Sequence, residues 1–259
     1  MLVLGATGGQ GGAVTTALLA NGVPVRALVR AADSDGAAQL AARGVEIAVG
    51  TFEDQVLLST AMTGVAGVFA LTTPFEAGVS AEVAQGRVIL AAAAQARVPH
   101  LLFSSVAGAN QHTGVPHFDS KAAVETELAS SGLSYTILGP TYFFDNALGG
   151  GARIRQGVLE LPLPGDRPLQ QLARADHDAF VAGVLLDPDP YRGRRIELAS
   201  DAPTPIEMAA ALSAAVGREV HHVQVPLARI TNSDMHAMWA FLNGPGYRVD
   251  LTCTALTLT

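Results

Sequence analysis

The chain contains very little cysteine and lysine, with one residue of each, Cys253 and Lys121, among 259. A single cysteine excludes a disulfide within the chain and is typical of a protein kept in a reducing compartment. All other basic residues are arginines. We attribute this bias to codon usage, so the abundance of arginine carries no functional information.

Long apolar runs are also missing, although hydrophobic residues make up 49% of the chain. The longest run, residues 88–94, is far shorter than the ~20 residues that a membrane-spanning helix needs. Met1 leads directly into an apolar segment, without the charged region and cleavage site of an export signal. We therefore expect a cytoplasmic protein that has no membrane partner.

Three further classes of function lack their sequence signals. A formal net charge of −7 argues against a nucleic-acid partner, which requires a basic surface. No metal site is expected, because no cluster has ligand spacing, and the adjacent His221 and His222 cannot share one face of a helix or strand. The Gly-x-Ser-x-Gly motif of many serine hydrolases is absent.

The strongest motif that is present is a glycine-rich segment near the N-terminus. Residues 1–4 predict a buried strand, and Gly5, Gly8 and Gly11 precede a helix predicted from about Gln10. In such a turn Gly5 allows the tight exit from the strand, Gly8 lets the backbone approach a pyrophosphate, and Gly11 allows close helix packing. The pyrophosphate would lie at the helix N-terminus. A glycine-rich surface turn is the alternative interpretation.

Strands and helices alternate through the first half of the chain, which predicts a doubly wound, parallel α/β sheet of the Rossmann type. The predicted strands are 1–4, 23–29, 45–49, 65–71, 101–104 and 134–138. The predicted helices begin near residue 10 and then cover 35–43, 54–62, 80–96 and 121–130.

After residue 140 the pattern loosens. It predicts helices at 176–186 and 205–216, a strand at 195–199, and a last helix whose apolar stripe we interpret as core: Met235, Met238, Trp239 and Phe241. We expect residues 1–259 to form one domain. Within it, residues 1–140 form the dinucleotide-binding core, and residues 141–259 mostly form a small substrate-side lobe with returns to the sheet.

The end of the second strand indicates which dinucleotide binds. NAD-specific sites place an acid there on the ribose hydroxyls, but this strand ends in Arg30, with no acid before Asp33. A guanidinium suits a 2′-phosphate, so the sequence favours NADP(H), with Arg26 as a weaker second candidate. A solvated arginine at a strand end is the alternative.

Four segments together resemble the NmrA-like family of atypical short-chain dehydrogenases/reductases: residues 5–12, 25–30, 117–121 and 139–146. The resemblance covers nearly the whole chain. It implies a Rossmann-type domain that binds NADP(H) and a small C-terminal substrate lobe. Members of the family include NADPH-dependent quinone reductases, aryl-ether reductases and catalytically silent redox sensors.

The resemblance also implies a set of site residues. For the pyrophosphate, the 2′-phosphate and the adenine they are Gly5, Thr7, Gly8, Gln10, Gly11, Arg30 and Phe52. For the nicotinamide and its ribose they are Thr72, Thr73, Pro74, Lys121, Pro140, Tyr142 and Phe143. The residues expected to line the substrate pocket are Phe75, Phe118 and Asn146.

The sequence departs from the usual catalytic motif. Ordinary members of the wider group carry Tyr-x-x-x-Lys, and here His117 stands four residues before Lys121. His117 and Lys121 are the candidate catalytic residues, although a surface or core histidine is the commoner case at such a position. The usual serine falls at Val106, directly after Ser104 and Ser105, and a shift of the alignment by one residue is the alternative. Relatives tend to add a helix beyond Tyr247, so we expect a truncated or open C-terminal edge.

Two functions are left open by the sequence. One is an NADPH-dependent reductase that passes a hydride to a quinone or another conjugated carbonyl acceptor, which needs little acid from the protein. The other is a catalytically silent sensor whose NADP(H) occupancy is read by a protein partner. The aromatic residues expected at the site favour a small aromatic or quinone-like substrate, and a homodimer is left open.

Overall fold

The computed structural model of the chain describes residues 1–251. Cys253 therefore lies outside the described residues. The described part contains a central parallel sheet with helices on both faces and a smaller set of elements at one end. No helix in residues 1–251 is long and apolar enough to cross a membrane.

Seven parallel strands form the central sheet, in the order β3-β2-β1-β4-β5-β6-β10. Their ranges are β1 Leu2–Val3, β2 Arg26–Val29, β3 Glu46–Val49, β4 Val68–Leu71, β5 Leu101–Ser104, β6 Tyr135–Pro140 and β10 Arg194–Leu198. The strand order reverses direction between β1 and β4, and ligands of such sheets bind in the crevice at this point. The predicted Rossmann-type fold class is confirmed.

Apolar helix faces cover both sides of the sheet, because parallel strands are apolar on both faces. One side carries α1 (Gly9–Ala20), α2 (Asp35–Ala42) and α7 (Arg174–Leu186), and the other carries α3 (Gln55–Met62), α4 (Val79–Gln95) and α5 (Pro116–Ser130). Each side has its own buried cluster, centred on residues such as Phe180 on the first side and Phe103 on the second.

Helix α5 begins five residues before the predicted start at Lys121. Pro116 occupies the first helical position, where its missing N–H is not needed. The backbone N–H of His117 donates to Oδ1 of Asp234, which is more than a hundred residues away in sequence. A cap supplied by another part of the chain leaves no local sequence signal, which is why the prediction began too late.

The chain after β6 builds a smaller lobe. It contains β7 (Tyr142–Phe143), α6 (Gly151–Arg155), β8 (Val158–Leu161), β9 (Gln171–Leu172), α8 (Pro205–Val216), β11 (His221–Gln224) and α9 (Ser233–Asn243). Strand β8 pairs with β11 and β7 with β9, while β10 returns to the edge of the central sheet. The division of the chain at residue 140 stays a prediction.

A third buried cluster forms the core of this lobe. Met238, Trp239 and Phe241 of α9 are buried in it, as the apolar stripe predicted. Phe118 from α5 belongs to the same cluster, so the N-terminal half of α5 links the sheet to the lobe.

Helices α4 and α5 approach each other closely at one glycine. A Cβ on Gly86 would overlap the side chain of Val124, which is buried between the helix and the sheet. The absence of a side chain at Gly86 is therefore a packing requirement.

We expect Gly86→Ala to lower the free energy of unfolding by about 1–3 kcal/mol, because the added methyl overpacks this contact. At an unconstrained helix position the same change stabilises by up to ~1 kcal/mol. Gly183 in α7 is the matched control, since a Cβ there would meet no atom within 4 Å. Urea denaturation measures both variants, and equal stability of the two would contradict the packing argument.

Candidate functional site

The glycine turn joins β1 to α1 as the sequence predicted. Gly5 has φ of +67°, a conformation that L side chains rarely adopt, and its carbonyl oxygen accepts from the N–H of Gly8 at 2.9 Å. A Cβ on Gly11 would overlap that same carbonyl group, so α1 packs directly on the backbone of the turn. No side chain caps α1, and its first turn has no acidic residue.

Two other residues of the turn are placed by side-chain contacts. Gln10 accepts a hydrogen bond from Oγ of Ser104 at 2.7 Å, which ties the start of α1 to the end of β5. The methyl group of Thr7 lies against Gly36 of α2, where a Cβ would come within 2.9 Å. Their predicted contacts with a pyrophosphate stay predictions.

Arg174 lies beside this turn, and the sequence analysis did not single it out. It begins α7, and a Cβ on Gly9 would lie 3.1 Å from its Nη1. Its Nε donates to Oδ2 of Asp145 at 2.8 Å, and its guanidinium stacks 4.7 Å from the centre of the Phe143 ring. Nη1 of Arg174 and Oδ1 of Asp145 are both buried and have no hydrogen-bond partner.

The charges around Arg174 indicate an anion site. The guanidinium lies at the N-terminus of α7 and over the N-terminus of α1, and both helix ends carry partial positive charge. The carboxylate of Asp145 pairs with the guanidinium, and Asp176 stands in the first turn of α7. An unpartnered N–H donor facing an uncapped helix N-terminus is the arrangement that binds a phosphate group. The sole sequence signal was an arginine at a helix start, where a cation is unfavourable.

Arg30 lies at the exit of β2 with an exposed side chain. Its Nη1 is 3.1 Å from Oε2 of Glu76, and both side chains are more than half exposed. Such a surface ion pair contributes little and exchanges readily. A hydrogen bond from Gln85, with a smaller contribution from the charge of Arg30, holds the pKa of Glu53 below its ordinary value.

The exit of β4 is organised by a buried carboxylate. Glu82 has no exposed surface, and its Oε1 lies 2.8 Å from Nζ of Lys121 and accepts from Oγ1 of Thr72 at 2.9 Å. Oε2 accepts from Oγ of Ser120 at 2.5 Å. Lys121 also donates to the carbonyl oxygen of Thr72 at 3.0 Å. The sole lysine is therefore held at the end of β4, and its contact with a ribose stays a prediction.

Thr73, Pro74 and Phe75 continue the chain beyond Thr72. Pro74 is buried, and its carbonyl oxygen accepts from the N–H of Gly78 at 2.8 Å. Phe75 is 70% exposed, which is exceptional for a phenylalanine and leaves its ring available to a ligand. Its ring centre is 5.8 Å from that of His117.

The exit of β6 contributes the next predicted segment. Pro140 is buried and accepts from the N–H of Ala107, and Tyr142 packs against Trp239 with ring centres 5.7 Å apart. Burial raises the pKa of Tyr142 to about 12, so its phenol keeps its proton at neutral pH. Phe143 lies under Arg174, and Asn146 is exposed in the following turn.

Two predicted aromatic contacts occupy less accessible places. Phe52 is half-buried and packs against the cluster around Phe103, at the side of the sheet where β3 ends. Phe118 has no exposed surface and packs against Phe241 and Tyr247 in the core of the lobe. Its side chain does not reach the surface of the crevice, and its predicted substrate contact is not tested by this placement.

His117 is buried near the lobe and paired with an acid. Its Nδ1 lies 2.8 Å from Oδ1 of Asp234, and the ring is 6% exposed. Asp234 comes from α9 and had no motif that could mark it in the sequence. Among the described residues no group of three or more histidine, cysteine, aspartate or glutamate side chains could hold a metal ion.

The site residues fit a dinucleotide. The glycine turn leaves room for a pyrophosphate, Arg174 offers it an unpartnered donor, and Arg30 lies at the ribose end of β2. The fold and the site thus define a dinucleotide-binding α/β protein.

Comparison with known proteins makes the assignment more specific. The model of the NmrA-like family matches residues 1–250, and the chain belongs to that family. The resemblance predicted from four sequence segments is confirmed.

Three similar proteins are oxidoreductases. An NAD(P)H azoreductase from Xenophilus azovorans is 32% identical over 228 residues, which cover 88% of this chain and 77% of that protein. The structure of an Escherichia coli NADPH-dependent quinone oxidoreductase complexed with NADPH is 25% identical, with a TM-score of 0.78, over 100% of this chain and 90% of that one. A Citrobacter sp. triphenylmethane reductase complexed with NADP(H) is also 25% identical, with a TM-score of 0.78, over 99% and 87%.

We expect Lys121→Met to lower the free energy of unfolding by about 3–5 kcal/mol, because it leaves the buried carboxylate of Glu82 without its cation. The double variant Lys121→Met/Glu82→Gln should recover most of this loss, since a neutral amide can still accept from Thr72. Chemical denaturation of the parent, of Lys121→Met, of Glu82→Gln and of the double variant completes a double-mutant cycle. If the double variant loses as much unfolding free energy as the two single variants together, Lys121 and Glu82 do not interact directly.

Proposed function

We propose that the chain binds NADP(H) and reduces a quinone or another conjugated, electron-poor acceptor by hydride transfer. The observation that carries this proposal is the unpartnered Nη1 of Arg174 over the uncapped N-terminus of α1. Two helix N-termini and a guanidinium converge on one small region, and an anion there would relieve their mutual repulsion. The bound nicotinamide would supply the hydride.

The pyrophosphate would lie against the first turn of α1. Gly8 begins this turn in an extended conformation, and a Cβ on Gly8 would come no closer to another atom than 3.4 Å, from the oxygen of Gly5. The backbone N–H groups of the turn and Nη1 of Arg174 would then donate to the phosphate oxygens from two sides. Asp145 would keep the guanidinium in position through the bond at Nε.

The 2′-phosphate would lie on Arg30. Its present partner Glu76 is an exposed carboxylate, and a dianionic phosphate is the stronger competitor for a planar guanidinium. Glu53 and Glu76 are both close to this arginine. Only NADPH would bring a 2′-phosphate next to these three charged side chains.

The acceptor would enter at the carboxyl ends of β4 and β6. Phe75 and Tyr142 supply aromatic surface to the regions beyond these ends, which suits a flat conjugated molecule. The three similar proteins are named for azo, quinone and triphenylmethane reduction, and all three kinds of acceptor are conjugated and aromatic or quinonoid.

We expect the parent protein to bind NADPH at least ~10-fold more tightly than NADH, equivalent to about 1.4 kcal/mol. Arg30→Ala should remove most of this difference while leaving NADH affinity nearly unchanged, because only NADPH carries the 2′-phosphate. Isothermal titration calorimetry with both dinucleotides measures the effect. Equal affinities in the parent protein would contradict the assignment of Arg30.

Arg174→Ala should weaken NADPH and NADH by the same factor, about 10-fold or more, because the pyrophosphate is common to both. Arg87→Ala is the matched control, since Arg87 pairs with Glu127 on the outside of α4 and α5, away from the crevice. The same calorimetric titrations apply. A selective loss of NADPH binding in Arg174→Ala would place this arginine on the 2′-phosphate instead.

The reductase activity is tested by NADPH oxidation with a panel of quinones, enones and azo dyes. We expect oxidation of NADPH that depends on the protein and transfers two electrons to the acceptor for each NADPH consumed. If NADPH binds but no acceptor in the panel is reduced, the proposed function is wrong and a sensor becomes the better account.

A further inference from the structure

His117 and Asp234 form a pair that links α5 to α9. Oδ1 of Asp234 lies 2.8 Å from Nδ1 of His117 and accepts from the backbone N–H of the same residue at 3.1 Å. Each residue is the second in its helix, so the pair joins two helix N-termini. One carboxylate oxygen thus fixes both the start of α5 and the ring of the histidine.

This contact determines which nitrogen of the imidazole is available. With Nδ1 turned to the carboxylate, Nδ1 carries a proton that it donates to Asp234, and Nε2 is the free end of the ring. Among residues 1–251 no group makes a hydrogen bond to Nε2. The rings of Phe118, at 4.8 Å and nearly perpendicular, and Phe75, at 5.8 Å, restrict rotation of the imidazole.

The pair lies beside the proposed cofactor crevice. His117 and Lys121 are four residues apart and share one face of α5. Lys121 donates to the carbonyl oxygen of Thr72, and His117 contacts Phe75, so this face of α5 is turned to the exit of β4. Strand β4 pairs with β1, from which the glycine turn emerges.

We propose that Asp234 is a positioning residue that holds His117 as the proton donor to the reduced acceptor. This inference rests on the proposed function. Hydride transfer adds two electrons and one hydrogen to the acceptor and oxidises the nicotinamide. The Nε2–H bond of the imidazolium then breaks, its proton bonds to the acceptor oxygen or nitrogen, and the ring becomes neutral with Nδ1–H still directed at Asp234. Water returns the proton to Nε2.

The balance is NADPH, quinone and one proton giving NADP⁺ and hydroquinone. Water can also protonate a reduced quinone, so the histidine accelerates this step without being indispensable. The carboxylate would act by fixing the orientation of the ring and its tautomer. Asp234 touches no reacting atom and acts only through His117.

The test compares Asp234→Asn with Asp119→Asn. Asparagine keeps an oxygen for the backbone N–H of His117 but removes the negative charge, whereas Asp119 is an exposed acid in the first turn of the same helix. With 1,4-benzoquinone as the acceptor, we expect Asp234→Asn to lower kcat by about 5- to 10-fold, below the ~10²–10⁴-fold loss expected when a required general acid is removed. The KM for quinone and the affinity for NADPH should stay within about twofold, and Asp119→Asn should match the parent protein.

Two controls separate positioning from a structural role. In a His117→Gln background, Asp234→Asn should cause no further loss of kcat, because the aspartate acts only through the histidine. A triphenylmethyl carbocation dye takes up a hydride without a proton, so its reduction should be equally fast in the parent and in Asp234→Asn. A loss in the His117→Gln background, or an equal loss with the cationic dye, would overturn the proposal.

A spectroscopic readout is independent of turnover. In ¹⁵N-histidine-labelled protein, long-range ¹H–¹⁵N spectra identify the His117 signals by their absence in His117→Gln. We expect the neutral ring of the parent to carry its proton on Nδ1, and this preference to weaken in Asp234→Asn. If the neutral ring of the parent carries its proton on Nε2, the positioning role is wrong. If the spectrum is as expected but no acceptor is reduced, only the proposed function is wrong.

Discussion

The contact between α1 and the glycine turn is the constraint on which the site depends. Gly5 adopts a left-handed conformation that points its carbonyl group at α1, and Gly11 has no side chain to prevent the approach. Backbone therefore packs on backbone, and the N-terminus of α1 lies at the reversal point of the sheet. Helix α7 packs beside α1, which brings the guanidinium of Arg174 over the same N-terminus.

Helix α5 is the second organising element, because its polar side chains bind partners that come from several other elements of the chain. His117 pairs with Asp234 of α9, and Lys121 and Ser120 with Glu82 of α4. Glu125 accepts from Ser105 after β5 and from Arg195 of the edge strand β10. A buried polar group costs stability unless it is paired, so these pairs fix the position of α5 against both the sheet and the lobe.

The sequence predicted the parts of the molecule that depend on local patterns. Strand and helix alternation and the glycine turn at Gly5 follow from short segments with known physical preferences, whereas the contact of Arg30 with a 2′-phosphate stays a prediction. The start of α5 was missed because its cap is the distant Asp234. Arg174 was missed because its position over the N-terminus of α1 depends on how α7 packs on α1, and a sequence does not show which helix ends meet.

The same limit applies to the contacts of Lys121. Its position four residues after His117 was visible in the sequence, but its pairing with Glu82 depends on how α4 packs on α5. The complete burial of Phe118 likewise depends on how α5 packs against the lobe, which the sequence does not show.

The central claim is that this protein transfers a hydride from bound NADPH to a conjugated acceptor. Single-turnover reduction of 1,4-benzoquinone, followed by the loss of nicotinamide absorbance, tests it most directly when NADPH carries deuterium at one of the two C4 positions. We expect rapid loss that deuterium slows by a primary isotope effect at only one of these positions, because the protein fixes the face of the ring. Loss that is no faster than in free solution, or equal slowing from both positions, would contradict the account.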